Sequence, residues 1–67
     1  MSVAKNVEIS SSSTKSFEDA IQQGIARVNK TVNNVEGAWI KEQKVTVEQG
    51  NITAYRVNMQ VTLVVGG

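Results

Sequence analysis

The side chains that could carry chemistry are few in this sequence, and none of them belongs to a recognisable catalytic group. Histidine and cysteine are both absent from its 67 residues, so the usual general base, the thiol nucleophile and the commonest transition-metal ligands are missing. Carboxylate, lysine, tyrosine and serine side chains remain, but no spacing pairs them. The run Ser10–Ser13 has no partner base and is typical of a loop and helix cap. We therefore expect a binding protein and not an enzyme.

Predicted strands and helices must position these side chains, and the clearest of these elements is the last strand of the chain. From Tyr55 to Val65 the odd positions are apolar, and the even positions up to Thr62 are polar. Successive side chains of a β-strand point to opposite faces, so this alternation predicts a strand with one apolar and one polar face. The polar face carries Arg56, Asn58, Gln60 and Thr62.

A strand and a helix are predicted before it. The strand runs from Val3 to Ser10, where the serine run ends it. The helix runs from about Ser16 to Asn33, with Ser13 as the preferred N-cap and Ser16 as the alternative. Its apolar residues recur at steps of three and four and form one stripe: Phe17, Ile21, Ile25, Val28, Val32 and Val35.

Gly24 lies inside the predicted helix, where glycine costs about 1 kcal/mol relative to alanine. Close packing of a strand or of a neighbouring subunit over this position explains it best. Ala20 and Gly24 flank the apolar stripe.

A second strand is predicted from Gly37 to about Val47. Ala38 and Ile40 share one face, and the opposite face carries Gly37, Trp39, Lys41 and Gln43. A change of pattern toward Val45 and Val47 indicates a bulge. The segment Glu48–Asn51 predicts a hairpin turn with Gly50 at positive φ, so the last strand pairs antiparallel with the second.

Together these elements predict one α+β domain over residues 1–67, with the order β-α-β-β. A three-stranded antiparallel sheet wraps around the single helix, and the odd face of the last strand meets the helix stripe. Its even face has no second helix to cover it, so it meets water, a ligand or another subunit.

Composition limits the partners. A chain of 67 residues buries only roughly 60% of its unfolded surface, and without cysteine it has no disulfides, so oligomerisation is the expected source of extra buried area.

The net charge is +1, and the sequence has no long run of charges of one sign. Phe17, Trp39 and Tyr55 are the only aromatic residues, so a nucleic-acid partner is not expected. No segment is apolar enough for a membrane span or a signal peptide, and a cytoplasmic protein is the expectation.

The sequence resembles the dodecins, which are small flavin-binding proteins that assemble as hollow spheres of twelve subunits. The resemblance covers nearly the whole chain and rests on the order and spacing of weak motifs. The helix start Ser16–Ile21 is followed by Ala26-Arg27 and Thr31, as in the family pattern Ala-Arg-x-x-x-Thr. Tyr55, Val57 and Val61 match the last-strand pattern Tyr-x-Val-x-x-x-Val. The family fold and a homododecamer built from trimers are what this resemblance implies.

The resemblance also implies a binding site, which this chain alters. In flavin-binding dodecins a tryptophan stacks on the flavin ring and a glutamine bonds its polar edge. Without gaps, these positions fall on Gly37 and Arg56, and the family's loop glycine falls on Ser11. An acidic residue that contacts the ribityl chain in some members is matched by Glu42.

Trp39 lies two residues beyond Gly37, on the same predicted face and displaced by ~6.5–7 Å. It either stacks on a flavin in the cleft vacated at Gly37 or fills a subunit interface. Arg56 either binds a phosphate or carboxylate, or pairs with Glu42 or Glu48. The predicted flavin contacts are Trp39, Arg56, Gly37, Glu42 and Gln60.

Two functions follow from these expectations. The first is storage of a flavin, riboflavin or FMN, between subunits of the dodecamer. The second is a flavin-free dodecin-like shell that binds coenzyme A or divalent cations, or acts as an assembly module. Arg27, Lys30 or Arg56 would then meet phosphates, or symmetry-related copies of Glu42 and Glu48 would bind Ca²⁺ or Mg²⁺.

Overall fold

The computed structural model describes residues 3–31 and 34–65 and contains three strands and one helix. Their order is β1 (Val3–Ser13), α1 (Phe17–Thr31), β2 (Val35–Glu48) and β3 (Asn51–Val65). The sheet has the order β1-β3-β2, and both pairs are antiparallel. The predicted β-α-β-β fold is therefore confirmed. Val32 and Asn33, which belong to the predicted helix, lie outside the described residues.

The hydrophobic core lies between α1 and the odd-numbered face of β3, as the alternation predicts. Ala20 is buried together with the β3 residues Val57, Met59, Val61 and Leu63. Partly buried apolar residues surround them: Val7, Ile9, Phe17, Ile21, Ile25, Val28, Val35 and Ala38. The central strand thus supplies most of the core, because it has a neighbour on each side.

Small residues bring the helix close to the sheet. Ala20 and Gly24 are the buried residues of α1, and the larger stripe residues pack around them. A Cβ atom added to Gly24 would collide with Met59 Cε and would lie 3.1 Å from Ser11 Cβ. Packing of the chain's own strands over Gly24 therefore accounts for this glycine.

The first strand is longer than the sequence predicts. β1 continues through Ser11, Ser12 and Ser13, and Ser13 pairs with Tyr55. The prediction that the serine run ends the strand at Ser10 is wrong, because β3 is long enough to provide backbone partners and these outweigh the preference of serine for loops.

The N-cap of α1 is Ser16 and not the preferred Ser13. The Ser16 Oγ atom accepts a hydrogen bond of 3.0 Å from the Asp19 amide. Ser13, which is buried, instead accepts a 2.9 Å bond from the Lys15 amide and donates a 2.6 Å bond to the Asp19 carboxylate. These bonds connect the end of β1 to the first turn of α1.

The β2–β3 hairpin turns at Gln49 and Gly50, which both have positive φ angles, 51° and 80°. Two consecutive positive φ angles are typical of a type I′ turn, whose twist matches that of the flanking strands. The predicted role of Gly50 is confirmed. No helix in the described ranges is long and apolar enough to cross a membrane.

We expect Gly24→Val to destabilise the fold by about 2–3 kcal/mol, because the new side chain must displace the buried Met59 and the neighbouring Ser11. The midpoint of urea unfolding measures this effect. Ala26→Val is the matched control, because Ala26 is an exposed residue of the same helix and only its helix propensity changes. Equal midpoints for the two variants would contradict close packing at Gly24.

The Ser13 hydroxyl makes the largest contribution to a lowered pKa of Asp19, whose ordinary value is 3.8; the Gln23 amide and the charge of Lys15 add to this, and burial opposes it. Because the folded-state pKa is the lower one, the stabilisation by this carboxylate is fully present above about pH 4 and is lost as the pH falls through the folded value. Unfolding midpoints between pH 5 and pH 2 should fall less steeply in Ser13→Ala than in the native chain. Thr14→Ala should keep the native slope, and an unchanged slope in Ser13→Ala would contradict the assignment.

Candidate functional site

The sheet face opposite the helix carries most of the polar side chains of the three strands. We call it the polar face and define it by the even-numbered residues of β3 and their cross-strand neighbours. Its register forms four successive rows, each with one residue from β1, β3 and β2. The rows are Asn6–Thr62–Gly37, Glu8–Gln60–Trp39, Ser10–Asn58–Glu42 and Ser12–Arg56–Lys44. All five predicted contact residues therefore lie on one face of one protomer.

An irregularity in β2 makes this arrangement possible. Strict alternation would place Trp39 and Glu42 on opposite faces of the sheet. The register between β2 and β3 skips one residue between Ile40 and Glu42, so Lys41 is an extra residue in the ladder. Glu42 then pairs with Asn58 on the polar face.

The bulge also corrects one prediction from the sequence. Gln43, predicted on the same face as Trp39, pairs instead with the helix-facing Val57. A further register shift lies between Thr46 and Val47, close to the predicted change of pattern, but the extra residue there is Thr53 of β3. The arrangement of the polar face depends on the irregularity at Lys41. The sequence prediction missed it, because that prediction assumed strict alternation through Gln43.

Trp39 dominates the row that it shares with Gln60 and Glu8. Its side chain is 62% exposed, which leaves most of the indole ring accessible. Gln60, directly opposite, provides an amide with one acceptor oxygen and two donor hydrogens. Lys41 reaches across the sheet to Glu8, with 3.6 Å between the ammonium nitrogen and the carboxylate oxygen. This row can stack on a planar ring and hydrogen-bond to its polar edge.

A hydrogen-bonded chain fixes the next row. The Ser10 hydroxyl donates to Asn58 Oδ1 at 2.6 Å, and Asn58 Nδ2 donates to the Glu42 carboxylate at 2.9 Å. Glu42 is thereby held in one orientation and keeps acceptor capacity for a ligand, because a carboxylate accepts several hydrogen bonds. This row suits a ligand that carries hydroxyl groups.

Two cations occupy the last row. Lys44 and Arg56 are direct cross-strand partners, and both are exposed. Within one protomer, the described residues contain no ion pair of Arg56 with Glu42 or Glu48. Lys44 and Arg56 line an open cleft of about 550 Å³ together with Glu42, Gln43 and Asn58. This volume is within the range of small-molecule sites, roughly 300–1,000 Å³.

Gly37 lies on the other side of the Trp39 row, opposite Thr62. It is exposed, and a Cβ atom added there would meet nothing within 4 Å. The position where the family resemblance places a stacking tryptophan is therefore open space in a single protomer.

The sequence prediction did not include Lys44, Asn58 or the Lys41–Glu8 pair among the contacts. Asn58 was already on the polar face by alternation, and only its register with Ser10 and Glu42 gives it a role. Lys44 reaches this face because of the bulge at Lys41. The pairing of Asn58 with both Ser10 and Glu42, and the position of the bulge, depend on strands that are distant in sequence. The local sequence pattern therefore does not predict them.

Comparison with known proteins identifies relatives over almost the whole chain. The family model for dodecin matches residues 3–65. The dodecin of Thermus thermophilus is 32% identical over 59 residues, which cover 88% of this chain and 86% of the relative. A crystal structure of a single-residue variant of the T. thermophilus dodecin superposes with a TM-score of 0.92 at 28% identity and covers all of both chains. A calcium dodecin from Mycobacterium tuberculosis, with a calcium-binding site, gives 0.80 at 29% identity and covers 91% of this chain and 87% of its own.

The hydrogen bonds of Asn58 predict how the substitution Asn58→Asp changes the stability of the protein. Ser10 can still donate to the new carboxylate, but its second oxygen faces Glu42, and like charges directly opposite each other are unfavourable. This repulsion raises the folded-state pKa of one carboxyl group, so the destabilisation is absent below about pH 4 and develops as the pH rises. We expect about 1 kcal/mol at pH 7, measured by urea unfolding.

The matched control is Glu42→Gln in the Asn58→Asp background. Its amide can donate to the new carboxylate, so the unfolding midpoint at pH 7 should return to near the native value. A loss of stability that is the same at pH 4 and pH 7 would refute the contact between Asn58 and Glu42.

Proposed function

This chain belongs to the dodecin family of small-ligand binding proteins, and we propose that its ligand is a flavin, riboflavin or FMN. The flavin would be held between subunits of a homododecamer. In this proposal the protein stores the flavin and shelters it from light and from unwanted redox chemistry. Trp39, Gln60, Glu42, Arg56 and Gly37 are the contacting residues.

The observation that carries the proposal is the exposed indole of Trp39 beside Gln60 on the uncovered face of the sheet. A large aromatic side chain that is 62% exposed leaves apolar surface in water, and a stacked planar ring removes it. The flavin ring has an apolar body and a polar edge of carbonyl and N–H groups. The indole suits the body, and the Gln60 amide suits the edge.

The order of side chains along β3 gives further support. Successive rows on one face lie ~6.5–7 Å apart, because two residues separate them. A ring on Trp39 is followed after one row by Glu42, which suits the hydroxyls of a ribityl chain. Arg56 follows after a second row, at ~13 Å from Gln60 along the strand. On the other side of Trp39, the open space at Gly37 leaves room for the ring.

Apolar surface at both ends of the sheet supports assembly. The hairpin residues Val47 and Ile52 pair with each other beyond the end of β1 and are 55% and 54% exposed. Val3 and Val65 pair at the opposite end and are also exposed. A chain with so small a core gains stability when other copies cover these residues. A location in the cytoplasm stays a prediction from the sequence.

A divalent cation is the second candidate ligand, because the relative from M. tuberculosis is a calcium dodecin. Among residues 3–31 and 34–65 of one chain, no three acidic side chains lie close enough to hold an ion. A cation site would therefore combine carboxylates such as Glu42 from several subunits. Coenzyme A is the other alternative, with its phosphates on the cations of the polar face.

The flavin proposal predicts the behaviour of Trp39→Ala. Titration of the native protein with riboflavin or FMN should quench both the flavin fluorescence and that of Trp39, which is the only tryptophan. Trp39→Ala should lose at least about tenfold in affinity, because the stacking surface is removed, and Trp39→Phe should retain part of it.

Gel filtration of the same preparations provides the control. All three proteins should elute at the volume of the same large assembly, so that a loss of affinity reports the stack and not dissociation. Elution near monomer size would contradict the dodecamer, and native-like affinity in Trp39→Ala would contradict stacking on Trp39.

A further inference from the structure

The ion pair between Lys41 and Glu8 joins the two outer strands of the sheet. Glu8 belongs to β1 and Lys41 to β2, and β3 lies between these strands. Neighbouring strands are about 4.8 Å apart, so the backbones of β1 and β2 are separated by ~9.6 Å. Direct side-chain partners in a sheet belong to adjacent strands, whereas these two side chains must meet above the central strand.

The register shows which residues lie beneath this ion pair. Glu8 is the Cα partner of Gln60, so the ion pair lies on the polar face. Lys41 is the extra residue of β2 directly before Glu42, which pairs with Asn58. The Lys41 side chain therefore starts beside the Asn58 row and ends in the Gln60 row, so it crosses β3 at Gln60.

The ion pair adds little to the stability of the fold. Both side chains are about half exposed, 46% for Lys41 and 57% for Glu8, and their charged atoms are 3.6 Å apart. Such a pair contributes little, because solvent screens the charges and two long side chains lose rotamer freedom. Yet it is the only ion pair in the part of the chain that the structure describes, and it ends in the row of Trp39. A contact this weak can open without loss of the fold.

We propose that the Lys41–Glu8 ion pair is a strap that closes over Gln60 in the empty protein and opens when a planar ligand binds. A ring that stacks on Trp39 and bonds the Gln60 amide must lie above β3, where the strap passes. The ion pair and the ring therefore compete for one position. The strap lowers the affinity for the ring by the free energy that its opening requires. The identity of the ring as a flavin rests on the proposed function.

Substitutions that remove the strap should strengthen binding. Riboflavin is the probe, because it carries no net charge at neutral pH. Its affinity should rise about two- to fivefold in Glu8→Gln and in Lys41→Gln, as expected for the loss of an exposed ion pair. The double variant should show the same gain as either single variant, because each one removes the whole contact. Unchanged or lower affinity in the single variants, or gains that add in the double variant, would overturn the strap.

Salt provides an independent measurement, because it screens an exposed ion pair. Between about 20 mM and about 500 mM sodium chloride, the riboflavin affinity of the native protein should rise toward that of Glu8→Gln, whose own affinity should stay constant. Glu18→Gln is the matched control, since it makes the same charge change at an exposed position of α1, on the other side of the sheet. It should keep the affinity and the salt response of the native protein. A native affinity that does not rise with salt contradicts the proposal.

The outcomes separate the strap from the proposed function. If riboflavin binds to the native protein and to every variant equally, the strap is overturned and flavin storage stands. If riboflavin does not bind, the storage proposal fails, and the side-chain amide resonances of Gln60 in isotope-labelled protein test the strap without a ligand. They should differ between the native protein and Glu8→Gln, and only those of the native protein should move with salt. Identical resonances in the two proteins would show that no strap covers Gln60.

Discussion

A single helix can cover only one face of the sheet, and the rest of the structure follows from that constraint. The helix lies against β3 because Ala20 and Gly24 present almost no side chain to it, which allows Met59 and Val61 to fill the space. With the odd face of β3 committed to this contact, the even face has no cover within the protomer. The polar face is therefore a consequence of how the core is built, and its residues are available for binding or assembly.

The bulge at Lys41 determines which chemistry that face carries. Without it, Glu42 and Lys44 would point toward the helix side of the sheet, away from the other polar rows. The extra residue moves both to the polar face and leaves Ile40 opposite the buried Met59. It also lets Lys41 reach Glu8. One inserted position thus joins the aromatic, carboxylate and cationic rows into a continuous surface.

Local patterns predicted the parts of the fold in which one face is fully buried. Val57, Met59, Val61 and Leu63 alternate without interruption, and Gly24 signalled close packing, so the core and the strand–helix contact were predictable. The position at which β1 ends was not predictable, because its serines are strand residues only through their pairing with β3. The Ser13–Asp19 bond and the facing of Gln43 depend likewise on partners distant in sequence. In the candidate site, the position of Trp39, Gly37 and Arg56 on one face could be predicted from the sequence. The position of Lys44 on that face is visible only in the register between β2 and β3.

The separation of Gly37 and Trp39 has a consequence for how a dodecin-like site can change without losing its face. A shift of two residues preserves the direction of the side chain, so an aromatic at position 39 remains on the polar face. It moves the stacking surface by one row, ~6.5–7 Å, toward Glu42 and Arg56. In the proposed flavin site, a ring on Trp39 brings its polar edge to Gln60, which lies directly opposite. In the proposed flavin site, the stacking surface therefore lies one row further along β3 than the position that the family resemblance assigns to it.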